Sequence, residues 1–320
     1  MRKAGVLDVG CHSALLTVTR RRSGGGLEPV FSRKVRLRLH QSLGPSGRLR
    51  RSGVLSVQEA VARAVAEDPE LRMPEVFAFA TSVIRDAPNR DEIIAQVAAA
   101  TGVRLRVLPG EEEARLAYVA ARNWVGPAAG PLLVLDVGGG TVEVAAGSGD
   151  QPDAVCSLPL GARRITRDRL PGGRVTGRKQ LAEVRHYLRS SLDEVPDLPR
   201  AESGTDVLAC SKTFTQLARL AAARSRPPRT SGAARTPRAA GTLTLTALRA
   251  VIPLLAAAGP VRRGRLPGIS PHRAEQSLAG ALVAEALMEA CGADSVRICP
   301  WSTREGLLLE RLAPRTAEVP

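Results

Sequence analysis

The chain has 320 residues, of which 44% are hydrophobic, so it is long enough to fold as two domains with separate cores. Its 46 Lys and Arg residues against 31 acidic residues give a net charge of +15, which favours polyanionic partners. Only 2% of the residues are aromatic, which disfavours nucleic acid as a partner, because single-strand sites stack bases on aromatic rings.

Features of secreted and membrane proteins are not found in this sequence. The five cysteines are widely spaced, which predicts reduced thiols in a cytoplasmic protein. The N-terminal apolar run before Asp8 is too short for a signal peptide, and no apolar stretch approaches membrane-spanning length. The four histidines are so dispersed that they predict no histidine-based metal site.

Hydrophobic periodicity predicts alternating strands and helices along the first half of the chain. The predicted elements are a hairpin with its tip at 24–26, strands at 35–39, 76–80 and 104–108, and helices at 57–66, 91–100 and 111–124. A Gly- and Pro-containing segment at 126–131 is predicted to be a domain boundary.

The second half repeats this plan. The predicted strands are 132–137, 142–146, 154–158, 206–209 and 295–299, and the predicted helices are 165–170, 178–192, 212–223, 245–258, 272–290 and 303–312. Residues 224–238 contain Arg and Pro but no acidic residue, which predicts a solvated basic loop.

A five-residue segment, Val-Leu-Asp-Val-Gly, occurs at 6–10 and again at 134–138. Aspartate is disfavoured in strand interiors, so Asp8 and Asp136 are interpreted as carboxylates that buried strands deliver to a site. The glycine after each aspartate permits a tight turn whose N–H groups can bind an anion. A chance repeat is the alternative, but similar alternation follows both copies. The repeat therefore predicts a duplicated α/β protein with two similar lobes, whose Asp-Gly turns face a cleft.

Motifs at residues 80–86, 110–116, 135–143, 209–213 and 304–306 occur in a characteristic order and spacing. Together they resemble the exopolyphosphatase/guanosine pentaphosphate phosphatase (Ppx/GppA) family, and its short actinobacterial-type members in particular. The resemblance implies an actin-like (ASKHA) fold of duplicated ribonuclease H-like lobes with a central phosphate-binding cleft. Lobe I is expected at 1–126 and lobe II at 127–302, with the C-terminal segment from about 303 to 320 packing back on lobe I.

The resemblance also implies roles for single residues. Glu113 matches the catalytic general base, although an acidic cluster in isolation would indicate only a stable helix start. Asp136 and Glu143 match acidic positions associated with a divalent cation, Mg²⁺ or Mn²⁺. Phosphate-binding positions are matched by Asp8, Gly10, Cys11, His12, Ser13, Arg85, Gly138, Gly139, Gly140, Thr141, Ser211 and Thr213. The implied activity is release of terminal phosphate from polyphosphate or guanosine pentaphosphate, and the family is compatible with a homodimer.

The first loop departs from the family pattern, because Cys11 and His12 stand where Ser and Asn are usual. Cysteine is a weaker donor than serine, and histidine is bulkier than asparagine and changes charge near neutral pH. Either phosphate binding is altered or catalysis is weakened. The departure keeps open an alternative function, a non-catalytic sensor of polyphosphate or alarmone with the same fold.

Overall fold

A computed structural model describes residues 2–22, 26–66, 75–224 and 241–313. Chain contacts divide the protein into two compact units, Met1–Glu112 with Thr303–Pro320, and Glu113–Ser302. Of the predicted basic loop only Arg224 is described, as the last residue of a helix, and 225–238 lie outside the described residues. Most of the predicted hairpin tip at 24–26 lies outside them too.

The strands are β1 (Lys3–Val9), β2 (Ser13–Arg21), β3 (Leu27–Arg36), β4 (Val76–Ala80), β5 (Arg106–Val107), β6 (Leu132–Val137), β7 (Val142–Gly147), β8 (Ala154–Leu158), β9 (Asp206–Ala209), β10 (Thr242–Thr244) and β11 (Ser295–Ile298). The helices are α1 (Arg51–Val65), α2 (Ser82–Arg85), α3 (Arg90–Thr101), α4 (Gly110–Val125), α5 (Ala162–Arg169), α6 (Arg178–Asp193), α7 (Lys212–Arg224), α8 (Leu245–Ala257), α9 (Pro260–Arg263), α10 (Ser277–Ala290) and α11 (Thr303–Leu312). Short 3-10 turns occur at Leu39–Ser42, Pro171–Gly173 and Pro271–Arg273. No helix among the described residues is long and apolar enough to cross a membrane.

The first unit is built on a mixed sheet with strand order β3-β2-β1-β4-β5. The central strand β1 pairs antiparallel with β2 and parallel with β4. Side chains alternate between the faces of a strand, so Leu7 and Val9 enter the apolar core shared with α1, whereas Asp8 lies on the opposite face. The C-terminal helix α11 packs against β1 in this unit.

The second unit contains a six-stranded sheet with order β10-β11-β9-β6-β7-β8. Its central strand β6 pairs antiparallel with β7 and parallel with β9, so β8-β7-β6-β9-β11 reproduces the order of the first sheet. An antiparallel three-stranded meander extended by two parallel strands is the ribonuclease H-like arrangement. Because the Val-Leu-Asp-Val-Gly segments supply β1 and β6, the two copies lie at equivalent places, and the predicted actin-like duplication is confirmed.

The division between the units lies at Glu112 and not in the predicted segment 126–131. Arg122, on α4, donates hydrogen bonds to the carbonyl oxygens of Ala129 at 2.8 Å and Gly130 at 3.0 Å. The helix also packs its buried face on the second sheet. The glycines that predicted a domain boundary instead form a tight connection from α4 to β6.

The third strand, β3, occupies 27–36 and not the predicted 35–39. It is an edge strand of the first sheet and is exposed along much of its length. Pro29 and several basic residues interrupt its hydrophobic alternation. The sequence signal was weak here because an edge strand buries few side chains.

Candidate active site

The glycine-rich loop at 138–141 connects β6 to β7 and contacts the start of α5. Amides of α5 donate to the loop, from Ala162 to the Gly138 carbonyl at 3.0 Å and from Arg163 to the Gly139 carbonyl at 2.8 Å. The amide of Gly161 donates to the Gly140 carbonyl at 3.1 Å. In a trans peptide the N–H points opposite to the C=O. The N–H groups of Gly139, Gly140 and Thr141, which follow these three carbonyls, therefore point away from α5. Such a row of amides is suited to a phosphate oxygen.

Gly161 makes this contact possible. A Cβ atom built there would lie 2.5 Å from the backbone nitrogens of Gly140 and Thr141, which is far inside van der Waals contact. A single glycine between a strand and a helix also fits an ordinary turn, so the sequence alone assigned Gly161 no role. The close approach of α5 to the loop appears only in the folded chain.

Asp136 and Glu143 are directly opposite each other in the antiparallel pair of β6 and β7. Opposite residues in such a pair point to the same face of the sheet, so the two carboxylates share a face. The Oε2 atom of Glu143 lies 3.8 Å from the position that a Cβ would take on Gly138, which places its carboxylate beside the loop. Ser157, on the neighbouring strand β8, donates to Oε1 of Glu143 at 3.2 Å.

Helix α4 brings Glu113 to this face. Leu132 and Val134 precede Asp136 on the same side of β6, and they share an apolar cluster with Ala117 of α4. Glu113 is one helical turn before Ala117, so it lies on the packed side of the helix and is 9% exposed.

The connection at 126–131 is short, so α4 runs antiparallel to β6. The 16 residues of α4 span roughly 24 Å and the six of β6 roughly 20 Å. The first turn of α4 therefore lies at the same end of the sheet as the carboxyl end of β6. Glu113 and Asp136 therefore lie on the same face and toward the same end of the second sheet.

Asp136 has a perturbed pKa. Desolvation raises the pKa of this carboxyl to about 6, while the Ser302 hydroxyl and the positive charge of Arg273 act in the opposite direction. The hydroxyl of Ser302 donates to Oδ2 of Asp136 at 2.7 Å. No periodic or motif signal pointed to Ser302, which is remote from Asp136 in sequence.

Ser211 directly precedes α7 and Thr213 lies in its first turn, and both residues are buried. The Thr213 hydroxyl donates to the carbonyl of Val137 at 2.8 Å, directly before the glycine loop. The Ser211 hydroxyl accepts from the amide of Phe214 at 3.3 Å and so caps α7. The Thr213–Val137 bond ties the end of β6 to α7, so Thr213 positions the residue directly before the glycine loop.

The first unit contains the second Asp-Gly turn. The amide of Gly10 donates to the carbonyl of Ser13 at 2.9 Å, which closes the turn between β1 and β2. The carbonyls of Cys11 and His12 accept hydrogen bonds from Leu39 and Leu37 at 3.0 and 2.9 Å. Because these two carbonyls point toward Leu39 and Leu37, the N–H groups of His12 and Ser13 point in the opposite direction, as in the glycine loop.

Asp8 lies at the end of β1 within reach of the first turn of α11. Desolvation raises the pKa of Asp8 to about 6, against the lowering effect of the positive charge of Arg304. Glu305 raises this pKa, and Lys34 lowers it. Arg304 also donates to the carboxylate of Glu305. The motif containing Arg304 was recognised in the sequence, but its role beside Asp8 was not.

Arg85 ends the short helix α2, and its side chain is 11% exposed. The guanidinium donates to Asp86 at 3.1 Å and to the carbonyl of Leu108 at 3.3 Å. It lines a depression of about 890 Å³ in the first unit, and three further arginines contribute to that depression, namely Arg90, Arg104 and Arg106. Asp91 also lines the depression and pairs with Arg90 at 3.0 Å, so the lining keeps an excess of guanidinium groups, which favours an anion.

The expectation that the histidines are dispersed is wrong for one pair. The ring centroids of His12 and His40 are 5.2 Å apart, because the chain returns past the first turn after β3. Cys11 lies beside them, with Sγ 3.6 Å from Nδ1 of His40.

The donors of Asp136 and Glu143 fit the divalent cation that the resemblance implies. Both offer carboxylate oxygens, which are the ligands that Mg²⁺ and Mn²⁺ prefer. Mg²⁺ is commonly held by one or two carboxylates with phosphate and water oxygens completing its coordination. The Glu143 carboxylate lies beside Gly138, where a cation could contact both this carboxylate and a phosphate bound at the glycine loop.

Duplicated ribonuclease H-like units, each with an Asp-Gly turn after its central strand, define a protein with the actin-like fold. The model of the Ppx/GppA phosphatase family matches residues 17–314. The chain belongs to this family and is a phosphoanhydride hydrolase.

Similar proteins carry related names. Exopolyphosphatase 1 of Mycobacterium tuberculosis is 41% identical over 316 residues, which cover 97% of this chain and 88% of that protein. The guanosine-5'-triphosphate,3'-diphosphate pyrophosphatase of Aeromonas hydrophila is 22% identical over 302 residues, which cover 94% of this chain and 58% of that protein. The crystal structure of the Aquifex aeolicus Ppx/GppA family member has a TM-score of 0.77 at 23% identity and covers 97% of both chains. The structural similarity supports the fold.

Proposed function

We propose that this protein is a metal-dependent exopolyphosphatase, which releases the terminal phosphate of inorganic polyphosphate. The observation that carries the proposal is the placement of Glu113, Asp136 and Glu143 on one face of the second sheet, at the end where the glycine loop begins. A base, cation ligands and amide donors are the groups that phosphoanhydride hydrolysis needs.

Glu113 acts as the general base and accepts a proton from the attacking water. The water oxygen forms a bond to the terminal phosphorus, and the bond from that phosphorus to the bridging oxygen breaks. The shortened polyphosphate leaves with the electron pair, and orthophosphate is released. The N–H groups of the glycine loop stabilise negative charge on the phosphoryl oxygens, where it develops.

Asp136 and Glu143 would hold the divalent cation. When bound, Mg²⁺ or Mn²⁺ neutralises charge on the phosphate oxygens. Ser302 and Ser157 orient the two carboxylates through their hydroxyl groups. Orientation by such neighbouring donors is a general requirement of metal sites in proteins.

The electrostatics of the chain support a polyphosphate substrate. The net charge is +15, and Arg85 with three other arginines lines a depression in the first unit. The aromatic fraction of 2% leaves few rings for stacking a guanine base. Guanosine pentaphosphate is the second candidate, supported by the name of the Aeromonas relative. Cytoplasmic location and homodimer formation stay predictions.

The alternative of a non-catalytic sensor rests on Cys11 and His12. Membership of a phosphatase family and the presence of Glu113, Asp136 and Glu143 favour a hydrolase. A sensor would have no use for a nearly buried base at the start of α4. We therefore expect the substitutions in the first loop to change phosphate binding and not to remove hydrolysis.

A direct test compares Glu113→Gln with Glu111→Gln, because Glu111 is an exposed carboxylate in the same helical turn. Phosphate release would be measured from polyphosphate of defined length and from guanosine pentaphosphate. We expect Glu113→Gln to lower kcat about 10²- to 10⁴-fold while polyphosphate binding persists, and Glu111→Gln to behave as wild type. Wild-type turnover in Glu113→Gln would contradict the assignment. Binding without release by the wild-type protein would favour the sensor.

A further inference from the structure

Cys11, His12 and His40 form a cluster of soft metal ligands in the first unit. One ligand atom from each residue lies within 4.8 Å of the others, and Sγ of Cys11 is 3.6 Å from Nδ1 of His40. The rings of His12 and His40 are tilted by 58° with centroids 5.2 Å apart. Within the described parts of the chain, this is the group of three such side chains that converges closely enough to hold one ion.

The spacing matches tetrahedral coordination. A zinc ion binds cysteine sulfur at about 2.3 Å and histidine nitrogen at about 2.1 Å. At the tetrahedral angle these bonds place sulfur and nitrogen about 3.6 Å apart and two nitrogens about 3.4 Å apart. The Cys11 to His40 separation already equals the first value. The ligand atoms of the three residues lie within 4.8 Å of one another, so the two imidazole nitrogens must approach by at most about 1.4 Å to reach the second.

The backbone holds the three ligands in place. Cys11 and His12 belong to the turn closed by the Gly10 amide, and His40 lies in the 3-10 turn Leu39–Ser42. Hydrogen bonds from Leu39 to the Cys11 carbonyl and from Leu37 to the His12 carbonyl join the two segments. The ligands are therefore carried by a connected backbone, which lowers the entropy lost on metal binding.

We propose that Cys11, His12 and His40 bind a borderline-soft divalent ion such as Zn²⁺, at a site separate from the carboxylate pair. Thiolate and imidazole ligands select Zn²⁺ or Co²⁺ over Mg²⁺, whereas the carboxylates of Asp136 and Glu143 have the opposite preference. Three protein ligands leave a fourth position for water or for a phosphate oxygen. Metal binding by this cluster does not require that the protein hydrolyse polyphosphate.

The site would explain how the first turn tolerates two unusual residues. Serine and asparagine contribute neutral donors to a phosphate, and Cys11 and His12 would replace them with a cation whose open position attracts the same oxygens. The simpler alternative is a hydrogen bond between the Cys11 thiol and His40, since 3.6 Å is also within hydrogen-bonding distance for sulfur.

Cobalt substitution distinguishes these alternatives. The full-length protein, freed of metal with a chelator, would be titrated with Co²⁺ and with Zn²⁺ in the presence of excess Mg²⁺. We expect one equivalent of Co²⁺ to produce a thiolate charge-transfer band and the visible bands of tetrahedral cobalt, and Zn²⁺ to bleach both. Absence of a thiolate band would overturn the proposal and leave the hydrogen bond as the explanation.

Variants assign the ligands. Cys11→Ser and His40→Ala should each weaken Co²⁺ binding by at least about tenfold, and Cys11→Ser should abolish the charge-transfer band. Cys156→Ser and His186→Ala remove the same residue types in the second unit and should bind as wild type. Asp136→Asn should leave the cobalt spectrum unchanged, which separates this site from the carboxylates. Thermal unfolding and circular dichroism would verify folding, and unaltered binding in folded Cys11→Ser and His40→Ala would refute the assignment.

Discussion

Ser302 donates its hydroxyl to the carboxylate of Asp136 at 2.7 Å, although the two residues lie far apart in sequence. The bond stabilises the ionised carboxylate and opposes the desolvation that raises the pKa of Asp136 to about 6. Because a cation binds the ionised form of Asp136, the Ser302 hydroxyl affects the pH range in which the proposed site binds its cation.

Ser302→Ala should therefore raise the pKa of Asp136 further. We expect the acidic limb of the profile of kcat/KM against pH to move to higher pH by on the order of one unit, the usual value of a hydrogen bond to a charged group. Ser302→Thr retains a hydroxyl and should restore the wild-type profile. Superimposable profiles of wild type and Ser302→Ala would contradict the coupling.

The stability of the metal-free protein should fall as pH rises from about 4 to about 6. Desolvation raises the pKa values of Asp8 and Asp136 from 3.8 to about 6, so the folded state binds more protons than the unfolded state in this window. A shift of about two units corresponds to about 3 kcal/mol for each group, fully lost above the folded pKa.

Asp8→Asn removes one of these contributions and should flatten the dependence. Urea unfolding would be followed at pH values below, within and above the window, with the exposed Asp150→Asn as the control. If the free energy of unfolding of Asp8→Asn falls as much as that of wild type between the lowest and the highest pH, the carboxyl of Asp8 does not cause the pH dependence.

The metal requirement should depend on the carboxylate pair. Asp136→Asn or Glu143→Gln removes an anionic oxygen, and we expect the Mg²⁺ concentration for half-maximal activity to rise by at least about tenfold. Activity would be titrated with Mg²⁺ and Mn²⁺, and Asp150→Asn again provides the control. Unchanged titrations in both variants would place the cation elsewhere.

Gly161→Ala should disrupt the glycine loop. The added Cβ would lie 2.5 Å from the nitrogens of Gly140 and Thr141, so α5 and the loop must move apart. Overpacking of this kind costs about 1–3 kcal/mol of stability, and displaced amides should lower kcat. Gly149→Ala is the matched control, because a Cβ there meets no atom closer than 3.9 Å. A fully active Gly161→Ala would show that the contact is dispensable.

Local sequence signals sufficed for a buried central strand and for the end of a helix. The strand prediction at 132–137 agrees with β6, and Gly102 ends α3 in the left-handed conformation, as its position predicted. Short-range rules work here, since hydrophobic alternation and the conformational freedom of glycine act within a few residues. The repeated Val-Leu-Asp-Val-Gly segment likewise identified both central strands and the duplication.

The candidate site was only partly accessible from sequence. The family motifs predicted Glu113, Asp136 and the loop glycines as site residues, but they gave no indication of the hydrogen bond from Ser302 to Asp136. A serine that bonds a carboxylate across a long stretch of chain has no periodic or compositional signature.

The sequence by itself determined the two central strands, the repeated Asp-Gly turns and the acidic start of α4, because each depends on neighbours along the chain. The tertiary structure alone decided that α4 packs with the second unit through Arg122, and that α5 holds the carbonyls of the glycine loop. It also decided that His40 returns to Cys11 and His12. Such contacts depend on how strands and helices pack in three dimensions, and spacing along the chain does not encode them.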